Sequence, residues 1–190
     1  MILIVDNYDS FVYNLVQYVG EFDDVTVRRN DAVGIEGIRE LDPDGIVVSP
    51  GPGTPQEAGV SMDVFAETGY PALGVCLGHQ ALCAAHGTPV GHASETVHGK
   101  SSAIRHSGTP LYDGVDDPFE VGRYHSLAVE SEDLPGELVE TAKTDDERGV
   151  VMGVRHVDRP HFGVQFRPES ILTDAGKRMI RNFCSITATA

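Results

Sequence analysis

The residues best suited to chemistry lie in Gly74-Val75-Cys76-Leu77-Gly78-His79-Gln80, between an apolar run that reads as a buried strand and the apolar helix signal of Ala81 to Ala85. Small residues around a nucleophile permit a sharp strand-to-helix turn that leaves the central side chain exposed and strained. Cys76 would then sit at a helix N-terminus, where the macrodipole and free backbone amides favour thiolate over thiol and the Leu77 amide can point at a developing oxyanion. The competing reading is a buried structural cysteine, the commoner fate of a lone thiol. A second segment, Ser49-Pro50-Gly51-Pro52-Gly53-Thr54-Pro55, follows a strand ending at Val48, where α/β sheets hold ligands. Its glycines let backbone amides approach a substrate and its prolines stiffen the loop. A third, Gly163-Val164-Gln165-Phe166-Arg167-Pro168-Glu169-Ser170, ends a strand in a polar turn.

Strand and helix signals alternate in the first half, which argues for α/β layering around a largely parallel sheet. Ile2 to Val5, Val25 to Val27, Gly45 to Val48 and Pro71 to Val75 read as strands. Asp9 or Ser10 can cap a helix with the apolar face Phe11, Val12, Leu15, Val16 and Val19, and Ser61 to Thr68 reads as another helix. From Pro89 the pattern changes to short β segments, Phe119 to Gly122, Leu127 to Glu130, Leu138 to Ala142, Val150 to Arg155 and Phe162 to Phe166, before a closing helix over Ala175 to Cys184. The expected architecture is one α/β domain over residues 1–190, a mostly parallel sheet with a small antiparallel extension.

The chain has 190 residues and a formal net charge of -15, from 29 acidic and 14 basic side chains. That excess argues against nucleic acid or an anionic membrane surface as partner, since neutralising phosphates requires clustered Lys and Arg. The basic residues are eleven Arg and three Lys, and the acidic pairs Asp23-Asp24, Asp116-Asp117 and Asp145-Asp146 fall at expected turns. A saline cytoplasm accounts for this, because screening weakens the self-repulsion of a carboxylate coat; an ordinary acidic enzyme is the alternative. Cys76, Cys83 and Cys184 have no metal-ligand spacing and an odd count, a poor disulfide framework. With no apolar window long enough for a membrane span or a signal-peptide core, the expected location is cytoplasmic.

Together the three segments resemble the class I glutamine amidotransferases, and within that family the small subunits of anthranilate synthase and aminodeoxychorismate synthase. The resemblance runs through Ile4-Val5-Asp6-Asn7-Tyr8-Asp9-Ser10-Phe11, the Pro-Gly-Pro-Gly loop, the cysteine elbow, His98-Gly99-Lys100-Ser101-Ser102, Arg123-Tyr124-His125-Ser126-Leu127 and the last segment. It implies a three-layer α/β fold in which L-glutamine is hydrolysed through a Cys76 thioester. Glu169 matches the triad carboxylate; Gly51, Pro52, Gly53, Leu77, Gln80, Ser126 and Leu127 match the substrate and oxyanion contacts. Lys100 falls where family members meet the larger synthase subunit, which would use the ammonia to turn chorismate into anthranilate. No cofactor or metal is implied.

One position departs from the family pattern. Phe-His-Pro-Glu is here Phe166-Arg167-Pro168-Glu169. The imidazole that takes the thiol proton and returns one to the departing ammonia is replaced by a guanidinium that stays protonated. Arg167 can favour a thiolate and pair with Glu169, so attack on glutamine would outlast efficient proton delivery. His161, six strand residues or roughly 20 Å from position 167, is too far to substitute; His79 and His125 are left as candidates.

Overall fold

A computed structural model describes residues 1–190. In chain order its elements are β1 (Ile2–Asp6), α1 (Val12–Gly20), β2 (Val25–Arg29), α2 (Ile35–Leu41), β3 (Gly45–Val48), α3 (Ser61–Glu67), β4 (Ala72–Val75), α4 (Leu77–Ala85), β5 (Gly91–His106), β6 (Phe119–Ala128), β7 (Leu138–Thr144), β8 (Val151–His156), β9 (His161–Val164) and α5 (Gly176–Thr189). The nine strands form a single sheet in the order β2-β1-β3-β4-β9-β8-β7-β5-β6. Neighbours from β2 to β9 are parallel, and those from β9 to β6 are antiparallel.

Alternation along the central strands builds the layers. Ile2, Ile4 and Val47 face one side, where Leu15 and Val19 of α1 and Met179, Ile180 and Phe183 of α5 cover them. Leu3, Val5, Ile46 and Val48 face the other, against Val64 and Phe65 of α3 and Leu82 of α4. Because both faces are covered, β1, β3, β4 and β9 are buried at every position and read as short unbroken apolar runs. Being parallel, these strands deliver their carboxyl ends to one edge of the sheet, and all three chemistry-bearing segments begin there.

Three sequence expectations are corrected, and two elements appear that the sequence did not suggest. Neither Asp9 nor Ser10 caps α1: the helix is entered through Phe11, without a side-chain cap. The Asp9 carboxylate is engaged instead by Arg167, and Phe11, expected on the buried face, is exposed. The segments Phe119 to Gly122 and Leu127 to Glu130 are one strand, β6, paired with the unexpected sixteen-residue β5. β5 carries no apolar alternation, since only Val97 and Ile104 are buried along it and two bulges shift its register. The helix α2 was also unexpected; of its seven residues only Ile38 is buried, so its periodicity is faint.

Candidate active site

β4 ends at Val75 and α4 starts at Leu77, so Cys76 makes the whole turn, with φ 55° and ψ −103°. Such a conformation is costly for a residue with a side chain and persists only where its surroundings impose it. They do so through glycine: a Cβ on Gly74 would stand 2.3 Å from the Gly78 carbonyl oxygen, and one on Gly78 2.2 Å from that of Val48. The elbow thus packs backbone against backbone. Cys76 lies on the wall of a cavity of about 420 Å³, although its side chain is only 5% exposed. The thiolate expected from the helix position is disfavoured. Burial is the dominant influence, partly offset by Arg167 and reinforced by Glu169, and pushes the thiol up to about 11.

The loop after β3 forms the opposite wall with Gly51, Pro52 and Gly53. Asn7 anchors it from the end of β1: its backbone N–H donates to Ser49 Oγ at 2.9 Å and its Nδ2 to the Ser49 carbonyl at 2.8 Å. The Asn7 Oδ1 accepts from Asn30 and from Ser61 at 2.9 Å each, so every polar group of this buried side chain is satisfied. A Cβ on Gly51 would stand 2.2 Å from the Asn7 carbonyl oxygen, which is why the loop can lie so close to β1.

Leu77, Gln80, Ser126 and Leu127 line the same cavity, joined by Tyr8, Asp9, Tyr124 and Arg167. Gln80 Nε2 donates to the Leu127 carbonyl at 3.2 Å and to Gln165 Oε1 at 3.1 Å; Gln165 Nε2 in turn lies 3.6 Å from Cys76 Sγ. Gln165 was not singled out in the sequence, although its place just beyond a buried strand beside the elbow is the signal that points to it. Two residues named from the sequence do not line this cavity, Lys100, expected at a partner interface, and Glu169, expected as the triad carboxylate. Lys100 is exposed on β5, paired with Glu95 at 3.4 Å, and lines a separate cavity with Arg123. Glu169 is 4% exposed, beneath the cavity surface but near enough to Cys76 for its charge to raise the thiol.

Arg167 lies beside both. Its Nη1 is 3.1 Å from Asp9 Oδ1 and 3.8 Å from Glu169 Oε1, and its guanidinium carbon is 5.3 Å from the centre of the Tyr124 ring. Asp9 is therefore the closer counter-ion, where Glu169 alone had been expected. Burial opposes the guanidinium charge, but Cys76 once ionised, Asp9 and Glu169 outweigh it and hold Arg167 protonated. Both Glu169 carboxylate oxygens are buried without a hydrogen-bond partner, and burial pushes this acid up to about 7.

No histidine takes the place left by residue 167. The Cys76 sulfur has as partners only the Tyr124 carbonyl at 3.8 Å and Gln165. His125 uses both ring nitrogens elsewhere, Nε2 on Arg123 and Nδ1 on the Leu127 carbonyl. His79 is fully buried and pushed down to about 3 by burial, so it stays neutral at the back of the elbow. His161 is buried against Phe65 at the amino end of β9, away from the site.

Residues 3–186 match the family described as glutamine amidotransferase class-I. The chain belongs to the class I glutamine amidotransferases. Among the relatives of this amidotransferase is the anthranilate synthase component II of Haloarcula marismortui, 78% identical over 190 residues and covering all of both chains. The aminodeoxychorismate/anthranilate synthase component 2 of Bacillus subtilis is 48% identical, over 96% of this chain and 95% of its own. A solved structure from Thermoplasma acidophilum, provisionally assigned to GMP synthase, superposes with a TM-score of 0.86 at 26% identity, covering 99% of this chain and 94% of that one. None of its helices is long and apolar enough to cross a membrane.

Proposed function

We propose that this chain is the glutamine amidotransferase subunit of anthranilate synthase, binding L-glutamine in the Cys76 cavity and supplying ammonia to the large subunit, component I. The observation that carries the chemistry is Cys76, held at φ 55° on a cavity wall by glycines that admit no side chain. Its sulfur attacks the γ-carbonyl of glutamine. The S–C bond forms, the C–N bond breaks, and the thiol proton must leave with the amide nitrogen as ammonia. Water then cleaves the γ-glutamyl thioester to glutamate and restores the thiol. Gly51 to Gly53 and the Leu77 amide supply donors for the oxyanion, Gln80, Ser126 and Leu127 hold the substrate, and Glu169 is the catalytic carboxylate. Lys100, outside this cavity, belongs to the surface offered to component I. The whole chain, residues 1–190, acts as one domain.

The Haloarcula relative at 78% supports anthranilate as the product, while the Bacillus relative, named for both pathways, keeps aminodeoxychorismate synthesis as a second assignment. Arg167 favours a further reading, a subunit whose glutaminase step is impaired and whose main task is to bind and stabilise its partner. Reconstitution with each synthase subunit, supplied with chorismate and either glutamine or ammonium, tests all three. The leading proposal expects assembly with component I and anthranilate from both nitrogen sources, more slowly from glutamine. Assembly with the aminodeoxychorismate enzyme alone, or ammonium-only synthesis that Arg167→His does not change, rejects it.

A further inference from the structure

Arg123, on β6, is 6% exposed and has no carboxylate within ion-pair distance, an expensive state for a buried guanidinium. Its Nε donates to His125 Nε2 at 3.2 Å and its Nη1 to Ser102 Oγ at 3.4 Å. Arginine can only donate, so His125 Nε2 is an unprotonated acceptor; the ring proton resides on Nδ1, which donates to the Leu127 carbonyl at 2.9 Å. That carbonyl also accepts from Gln80, and the bonds continue through Gln165 to the Cys76 sulfur. The network leaves β6 at Arg123 and returns to it where the sulfur donates to the Tyr124 carbonyl.

We propose that Arg123 is a positioning residue for the glutamine site: by donating to His125 Nε2 it fixes the Nδ1–H tautomer, and through the Leu127 carbonyl that ring holds Ser126, Leu127 and Gln80 in place. The proposal rests on the reading of the Cys76 cavity as a glutamine site, though its tautomer test does not. The titratable and charged groups around the ring are Arg123 on its own strand, His98 on the paired strand β5 and His79 on α4. Glu95, Asp146 and Arg148 act on Arg123 from the other side. Burial first, opposed by the Leu127 carbonyl and aided by the Arg123 charge, holds the imidazole down at about 4. The Arg123 charge is the smallest of these influences, so the ring stays unprotonated without it; what its removal takes away is the donor on Nε2, and with it the bond that fixes the Nδ1–H tautomer.

The test combines ring-nitrogen NMR of the histidines with calorimetric titration of L-glutamine, on the full chain and on Arg123→Met and Arg123→Lys. The wild-type ring is expected as the Nδ1–H tautomer, unprotonated at about pH 5.5. In Arg123→Met, which has no N–H to give, the ring should show both neutral tautomers, with glutamine binding weakened roughly 10-fold at about pH 7, the loss of a hydrogen bond from a charged donor. Arg123→Lys, which keeps the charge but not the rigid fork, should fall between the two. A purely structural role would weaken binding with the ring still wholly in the Nδ1–H form, and that result overturns the proposal. So does an Nε2–H tautomer in the wild-type chain, a readout that stands even if Arg123→Met does not fold. If the wild-type chain binds no glutamine, the reading of the cavity fails, while the tautomer still decides the Arg123–His125 link.

Discussion

At Cys76 two influences compete over one proton, the helix N-terminus on which the residue sits and the packing that encloses its sulfur. Helix position argues for thiolate; packing decides for thiol, since the sulfur is 5% exposed and burial outweighs the Arg167 charge. Alkylation of Cys76 by iodoacetamide should therefore be slow at neutral pH and keep accelerating as pH rises toward 11, whereas a rate already on its plateau at pH 7 would show a low-pKa thiol. Replacing a general acid-base group is worth ~10²- to 10⁴-fold, so Arg167→His should raise glutamine-dependent synthesis with component I by that factor and leave ammonium-dependent synthesis unchanged. Steady-state rates with both nitrogen sources check this. That Arg167 cannot move a proton follows from its chemistry alone; that it is held by Asp9 does not, because the two lie 158 residues apart in sequence.

Among the elements, the buried strands were legible because burial on both faces leaves uninterrupted apolar runs, and α1 and α5 because their faces recur at helical spacing. β5 was not, since most of its side chains meet solvent and its hydrogen bonds to β6, not apolar burial, define it. The loops of the site depend on close backbone approach, and glycine is the only sequence trace that leaves. A Cβ at residue 78 would stand 2.2 Å from the Val48 carbonyl oxygen, so Gly78→Ala should cost at least the 1–3 kcal/mol typical of overpacking, roughly, in urea unfolding. Gly91→Ala, at a position with nothing within 4 Å, is the control and should stay within about 0.5 kcal/mol of wild type.

For the whole molecule, charge and burial set opposite responses to the medium. The net charge of -15 opposes compaction and is screened as the Debye length falls from about 10 Å in 0.1 M salt to about 3 Å in 1 M. The thermal midpoint and the affinity for component I should both rise with salt, and dissociation of the complex at molar salt would contradict the saline reading. Acid acts the other way. His79, His125 and His161 are buried with pKa values held down to about 3, 4 and 4, so below the ordinary histidine value the unfolded chain binds protons that the folded chain does not. Stability then falls as pH drops from about 6.5 toward about 4, by about 1.4 kcal/mol per pH unit for each ring. Glu169, raised to about 7, works in the opposite sense between its ordinary value and 7, but it is one group against three. Urea midpoints at pH 7 and pH 5 measure the net effect; equal midpoints would contradict it. The central claim, a glutamine amidotransferase that works through Cys76 with proton transfer hindered by Arg167, is tested most directly by acid-quenching the complex with component I during turnover of labelled glutamine. The account predicts a γ-glutamyl label on Cys76 that is lost in Cys76→Ala and less populated in Arg167→His, where the thioester is cleared faster; a chain that takes up no label in either background would contradict it.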